Sequence, residues 1–333
     1  MEAVPQNIVD KFGRVHDYLR ISLTERCNLR CFYCMPEEGV ALRERSVFMT
    51  AEELVAIAKT FVSLGVKKIR LTGGEPLIKK NAEIIIRELG KLPIELTITT
   101  NAVVVDRYID VMKEAGIKSI NVSLDSLKEE RFNDISRRNY FSKIVSNIEL
   151  LLKNDFIVKV NAVIIRDVND SELVDFVQWS KDKPVHVRFI EFMPFDGNNW
   201  DWDKKVSYKE MLEDIYNHFG EGEIQKIEPK PNDTARNFRI KGAPGTFGII
   251  STVTNPFCDT CNRIRLTADG KIKNCLFSED ETDLLTAYRK NQPITPKILD
   301  AINAKHKELG GHEKFTNESV VLLKNRSMIT IGG

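Results

Sequence analysis

The 333-residue chain has no cysteine outside two short stretches: three stand at positions 27, 31 and 34 and three at 258, 261 and 275. A disulfide framework more often scatters its cysteines through a smaller secreted domain, so this layout in a large chain points to metal binding in a reducing compartment. Net charge is also lacking, since 49 Lys and Arg stand against 48 Asp and Glu. No overall field draws the chain to nucleic acid or an acidic membrane, and any anion site has to be built locally. Nowhere do about eighteen apolar residues run together, and Met1–Gly13 holds no apolar h-region, so a cytoplasmic protein without a membrane span is expected. What is abundant is hydrophobic content, 42%, enough for one large domain or a large domain with an appendage.

Regular alternation fills the first two thirds. Ile- and Val-rich strands are predicted over 18–24, 67–72, 94–99, 117–124, 156–165 and 185–192. Amphipathic helices are predicted over 51–64, 82–89, 104–115, 141–152, 171–181 and 207–219, the first opened by a Thr50/Glu53 capping box and stopped at Gly65. Such alternation implies right-handed β-α-β units around a parallel sheet. Six units make about three quarters of an eight-stranded barrel, while an open doubly wound sheet fits the same pattern. Residues 221–245 are polar and carry Pro229, Pro231 and Pro244, which reads as a boundary or covering loop. The expected division is therefore 1–220, a partial barrel, and 221–333, a smaller C-terminal region.

Cys27, Cys31 and Cys34 fall in eight residues directly after the first strand. Three thiolates hold three corners of a cubane iron–sulfur cluster and leave one iron open, whereas a structural zinc site is closed by four protein ligands. Cys258, Cys261 and Cys275 again supply three thiols, and no histidine follows before His306 to complete a zinc ribbon. In a βα barrel the active site lies at the strands' C-terminal ends. Polar residues collect there: Thr72-Gly73-Gly74-Glu75-Pro76, Thr99-Thr100-Asn101, Ser123-Leu124-Asp125, then Lys159 and Asn161, then Arg188, Glu191 and Met193. Two glycines let a ligand approach the backbone, and Glu75 with nearby carbonyls can accept hydrogen bonds from an ammonium. A lone strand cation is more often paired or at an edge, but Arg20, Arg70, Lys159 and Arg188 converge on one mouth and suggest a nucleoside triphosphate. Arg263 and Arg265 alternate beside the second cysteine group and point to one side of a strand.

Cys-x3-Cys-x2-Cys with Tyr33 before the third cysteine resembles the signature of the radical S-adenosylmethionine (radical SAM) enzymes. The resemblance favours the α/β partial (β/α)6 TIM-like barrel with a small C-terminal extension. It implies a [4Fe-4S] cluster whose open iron is chelated by S-adenosylmethionine. Gly74 and Glu75 would then meet the methionyl amino group, Ser123 the methionyl or ribose part, and Tyr33 and Met193 the adenine; Met193 alone would read as core.

The full set resembles one family closely, the GTP 3′,8-cyclases that begin molybdenum cofactor biosynthesis. It runs from Gly13-Arg14 through both cysteine groups, Thr-Gly-Gly-Glu-Pro, Asn-Val-Ser-Leu-Asp, Arg-Phe-Ile-Glu-Phe-Met and Arg-x-Arg to the terminal Gly332-Gly333. It implies a second [4Fe-4S] cluster that binds the purine of GTP. Arg20, Arg70, Thr99, Lys159, Arg188, Arg263 and Arg265 would hold the nucleotide, and Gly332 and Gly333 would be needed for turnover. Cyclic pyranopterin monophosphate synthase would take the product, the electron donor is unidentified, and a homodimer is left open. One departure is Ala102, where the family often has glycine. The rivals are a peptide-maturing radical enzyme with an auxiliary cluster, and a noncatalytic iron–sulfur redox sensor or zinc-bound binding module.

Overall fold

Alternate residues of the first strands have opposite character, and this decides which way each strand faces. The structure, a computed structural model, describes residues 7–35, 39–40, 43–321 and 325–332. The strands β1 (Tyr18–Ser22), β2 (Lys68–Thr72), β3 (Glu95–Thr100), β4 (Ser119–Ser123), β5 (Ile157–Ile164) and β6 (His186–Glu191) pair in parallel in that order. Leu19, Ile21, Ile69, Leu71, Ile98, Ile120, Val122, Val160 and Phe189 are all fully buried on one face. They pack under an outer layer formed by α1 (Ala51–Ser63), α2 (Ala82–Gly90), α3 (Ile109–Glu114), α4 (Glu129–Ser136), α5 (Phe141–Lys153), α6 (Leu173–Asp182) and α7 (Tyr208–Phe219). The alternate residues, including Arg20, Arg70, Asn121 and Lys159, face the interior instead. Sequential strand order without a reversal excludes the doubly wound sheet.

The helix ends follow their local chemistry. Thr50 Oγ1 accepts from Glu53 N at 3.2 Å and Glu53 Oε2 accepts from Thr50 N at 2.8 Å, closing the expected capping box on α1. Ser207 and Glu210 form a second box on α7. The helix predicted over 104–115 begins as a 3-10 turn, Val105–Tyr108, before α3.

Beyond residue 220 the chain returns to the same sheet. The segment read as a loop contains β7 (Ile224–Lys226) and β8 (Arg236–Ile240), an antiparallel pair in which Phe238 and Ile240 are buried between exposed charges. Two buried residues amid proline and charge carry too little pattern to show a strand. β9 (Thr246–Ile250) then pairs in parallel with β6, and β10 (Arg263–Leu266) in parallel with β1. β11 (Lys271–Lys273), β12 (Thr282–Asp283), α8 (Leu285–Arg289), α9 (Thr295–Asn303), α10 (Asn317–Val321) and α11 (Met328–Ile331) complete the chain. Among the described residues twelve strands form one sheet, ordered β12-β11-β10-β1-β2-β3-β4-β5-β6-β9-β8-β7. β9 and β10 flank the two ends of the parallel part without pairing to each other, so residues 251–262, with Cys258 and Cys261, link the two edges of the barrel.

Ala102 takes the conformation a glycine would take. Its φ is +60°, it is fully buried, its N–H donates to Thr100 Oγ1 at 3.0 Å, and its carbonyl accepts from Asn147 Nδ2 at 2.6 Å. The turn after β3 thus tolerates a left-handed alanine because both backbone groups are tied. Ala102→Gly is expected to stabilise the fold by up to about 1 kcal/mol by removing that steric cost, read as a raised midpoint in denaturant unfolding.

Candidate active site

Register aligns the interior cations across neighbouring strands. Arg265 lies beside Arg20, and Arg20 beside Arg70, across β10, β1 and β2; Lys159 pairs with Asn121, and Asn161 with Arg188 and Ser123. These side chains except Ser123, with Arg263 and Met193, line a cavity of about 380 Å³. None of Arg20, Arg70, Lys159, Arg188, Arg263 and Arg265 makes a salt bridge among the described residues. Burial, and then the neighbouring Arg265, hold Arg20 well below its usual range. Burial and Arg70 bring Arg188 to about 10, and burial with Arg188 and Arg70 brings Lys159 to about 8. Tyr18 is half-buried; although burial pushes it up, Arg70 and Arg20 bring its phenol down to about 8. Arg70 donates through Nε to Tyr18 Oη and through Nη1 to Thr99 Oγ1 at 3.4 Å, which places Thr99 at the cationic row.

Buried polar atoms with no partner concentrate on the same cavity: Arg20 Nε and the Oδ1 atoms of Asn121, Asn161, Asn262 and Asn274. Such atoms are costly without a hydrogen-bonding ligand. The three asparagines at 121, 262 and 274, Tyr18 and the 231–234 loop were not singled out by the sequence. Asn121 was detectable as the interior-facing residue two before Ser123, and Asn262 and Asn274 as direct neighbours of Cys261 and Cys275.

The two cysteine groups differ electrostatically. Burial, with Glu75 adding to it, pushes the Cys27 thiol up to about 11; burial and Cys27 push Cys34 to about 12, and burial, Asp125 and the other two thiols raise Cys31 further. Three half-buried thiols that oppose one another's ionisation call for a strongly cationic centre. In the second group Cys258, Cys261 and Cys275 border the cavity. Burial raises Cys261, but the Lys305 ammonium and Arg263 outweigh it and bring the thiol to about 7. No group of three or more His, Cys, Asp or Glu among the described residues closes around a single ion. Each triad offers three thiols, which fit three corners of a polynuclear cluster rather than a closed four-ligand zinc site.

The turn after β2 explains its glycines differently from the sequence expectation. The close approach is made by the chain itself: Gly74 N donates to Thr24 O at 2.7 Å and Glu75 N to Arg26 O at 2.8 Å. A Cβ at Gly74 would stand 2.3 Å from Arg26 O. The Glu75 carboxylate is fully buried and accepts from Leu77 N, Thr100 Oγ1 and Asn101 N at 2.7–3.0 Å, so most of its acceptor capacity fixes the β3 turn, and an ammonium would meet mainly backbone carbonyls. Tyr33 Oη donates to Asp125 Oδ2 at 2.6 Å, and Val163 N donates to Asp125 Oδ1 at 2.9 Å. Tyr33 and Met193 pack in one apolar cluster with Phe192 and Phe277, and Ser123 ends β4 half-buried. Glu191 turns away from the cavity, accepting from Val253 N and Thr254 N at 2.9 and 3.0 Å to anchor the start of the second cysteine loop.

Arg14 holds that loop from the other side, donating to Cys258 O at 2.8 Å and Lys307 O at 2.6 Å. The C-terminal segment enters the barrel mouth. Gly332, at φ +87°, accepts on its carbonyl from Arg265 Nη1 at 3.0 Å, and a Cβ there would stand 2.6 Å from Thr72 Oγ1. Gly333 lies outside the described residues. Arg326 anchors the segment through two 3.0 Å bonds to Asp269, which Arg43 shares while also holding Glu25, two residues before Cys27.

Barrel, cysteine triad and strand-end turn together define a radical SAM domain, and residues 21–180 match the Radical SAM superfamily. Residues 185–310 match Molybdenum Cofactor Synthesis C. The chain is 42% identical over 335 residues to the mitochondrial GTP 3′,8-cyclase of Arabidopsis thaliana, covering 99% of this chain and 84% of that protein. It is 43% identical over 304 residues to GTP 3′,8-cyclase of Listeria monocytogenes, covering 90% and 91%. Molybdenum cofactor biosynthesis protein 1 of Drosophila melanogaster is 44% identical over 299 residues, with 89% and 53% covered. The chain spans about half the length of the first curated relatives it matches. The chain belongs to the GTP 3′,8-cyclase family. Streptococcus suis SuiB bound to S-adenosylmethionine shares the fold, with a TM-score of 0.61 at 14% identity over 88% of this chain and 69% of that one.

The close backbone contact at Gly74 makes Gly74→Ala a selective lesion. Anaerobic reconstitution is expected to load about half the iron of the parent, with the loss at Cys27, Cys31 and Cys34. The titrating groups set a pH dependence for anion binding. As pH rises past about 8, Lys159 loses its positive charge and Tyr18 gains a negative one, so affinity for tripolyphosphate is expected to fall. Calorimetry across that range, with Lys159→Met combined with Tyr18→Phe, should give a weaker and flatter profile; a parent profile that is already flat would contradict this assignment.

Proposed function

We propose that the chain catalyses the conversion of GTP to (8S)-3′,8-cyclo-7,8-dihydroguanosine 5′-triphosphate, the first step of molybdenum cofactor biosynthesis. The observation that carries this is a single cavity walled on one side by six unpaired cations and on another by Cys258, Cys261 and Cys275. Arg20, Arg70, Lys159, Arg188, Arg263 and Arg265 would take the triphosphate, whose charge relieves their repulsion. The guanine would lie toward the second triad, where the orphaned asparagine oxygens can accept from purine N–H groups. Cys27, Cys31 and Cys34 would hold one [4Fe-4S] cluster and the second triad another.

When bound, the first cluster would supply the electron for cleavage of S-adenosylmethionine to methionine and a 5′-deoxyadenosyl radical; the C3′ hydrogen of GTP would leave as part of 5′-deoxyadenosine, and after C3′ joins C8 one further electron from the donor and a proton would complete the product. The carbonyls around Gly74, with Glu75 behind them, would receive the methionyl ammonium, while Ser123, Tyr33 and Met193 border the rest of that ligand. The chain's own contribution is to hold two ligands in fixed relation and keep water from the reacting carbon. Gly332, and Gly333 beyond it, would close the mouth beside Arg265. An electron donor and a downstream cyclic pyranopterin monophosphate synthase complete the reading, with a reducing compartment such as the cytoplasm suited to six free thiols.

Anaerobic incubation of reconstituted protein with GTP, S-adenosylmethionine and dithionite tests it. Deoxyadenosine together with a nucleotide isomeric with GTP, from protein holding about eight irons, is the expected result. Deoxyadenosine with GTP untouched would leave radical chemistry on another substrate, as in a peptide-maturing enzyme; neither product from iron-loaded protein would favour a redox sensor.

A further inference from the structure

One buried cation near the second triad does not border the cavity. Lys305 follows α9 and is only 2% exposed, yet it is absent from the cavity lining that includes Arg20, Arg70, Lys159, Arg188, Arg263 and Arg265. Its ammonium donates to Cys261 Sγ at 3.5 Å and to Arg263 O at 3.1 Å. No carboxylate pairs with it among the described residues. Asp10, which together with Lys305 acts on the His16 imidazole, is committed to Arg14 at 2.6 Å and His16 at 3.0 Å. A buried ammonium without an anionic partner is costly unless its surroundings carry negative charge. The negative charge on offer is the Cys261 sulfur, together with the partial charge of the Arg263 carbonyl.

We infer that Lys305 is a charge-compensating residue of the auxiliary cluster, holding its reduction potential up from behind, with Arg263 Nη1 a second donor 3.8 Å from the same sulfur on the cavity side. This rests on the second triad binding a four-iron cluster. Three thiolates on a doubly positive core leave one negative charge, and reduction adds a second. An ammonium at hydrogen-bond distance from one ligand sulfur favours the reduced state, an effect that hydrogen bonds to cluster sulfur ligands produce generally. The first triad has no counterpart, since none of its sulfurs accepts from a lysine or arginine among the described residues.

The test compares Lys305→Met, which keeps the side-chain length without charge, with Lys305→Arg, which restores the charge. Iron per chain and the midpoint potentials of both clusters are read by redox-poised electron paramagnetic resonance on reconstituted full-length protein. The expected result is a Lys305→Met protein with about eight irons, an auxiliary potential shifted negative, an unmoved first-cluster potential, and reversal toward the parent in Lys305→Arg. Loss of the auxiliary cluster in Lys305→Met with retention in Lys305→Arg also supports a charge role. An unchanged auxiliary potential in iron-replete Lys305→Met, or loss of that cluster in both variants, would reduce Lys305 to a tether for β10 and overturn the inference. Parent protein with about four irons would remove the second cluster itself, a failure of the underlying reading that the variants are not needed to detect.

Discussion

Uncompensated positive charge inside the barrel is the constraint on which the rest of the structure depends. Arg265, Arg20 and Arg70 stand side by side in register; burial and then Arg265 depress Arg20, and the same positive field draws down the Tyr18 phenol by favouring its anion. A flexible site would let these side chains escape to solvent. Here β1, β2 and β10 are clamped from outside by fully buried Leu19, Ile21, Ile69, Leu71, Ile264 and Leu266, so apolar burial on one face holds electrostatic frustration on the other. A bound polyanion then gains the repulsion it relieves.

Buried carboxylates do the positioning that the cations cannot. Glu75 ties the end of β2 to the turn after β3, Glu191 ties β6 to the second cysteine loop, and Asp125 joins Tyr33 to β5. Each accepts backbone N–H groups from a different segment, which stabilises a loop more rigidly than a surface ion pair would. Asp269 extends the scheme to the C-terminal segment: burial raises it, but Arg326 more than offsets this and brings it to about 2. Because Arg43 bridges Asp269 and Glu25, the position of Gly332 is linked through hydrogen bonds to the chain entering the first cysteine group.

The two cysteine groups sit in opposite fields. The first is enclosed by acids and by its own thiols, which makes it dependent on what it binds for charge balance. In the second, Lys305 and Arg263 outweigh burial at Cys261, while burial raises Cys258. One barrel therefore holds two cysteine triads in environments of different polarity, the second of them on the cavity wall.

The amino-acid sequence by itself determined the six βα units, the two cysteine triads and the interior cations, because each is a local pattern: period-2 and period-3.6 apolarity, fixed cysteine spacing, and a charge where a strand should be apolar. The left-handed turn at Ala102 was flagged but not resolved, since one residue's type does not set its φ. Only the tertiary structure decided that β9 and β10 join opposite edges of the sheet and that the 231–234 loop and Asn262 face the cavity. The same holds for the Gly73-Gly74 turn, which accommodates the Thr24–Arg26 backbone. These depend on which distant segments meet, a property of long-range pairing and register that no window of sequence contains.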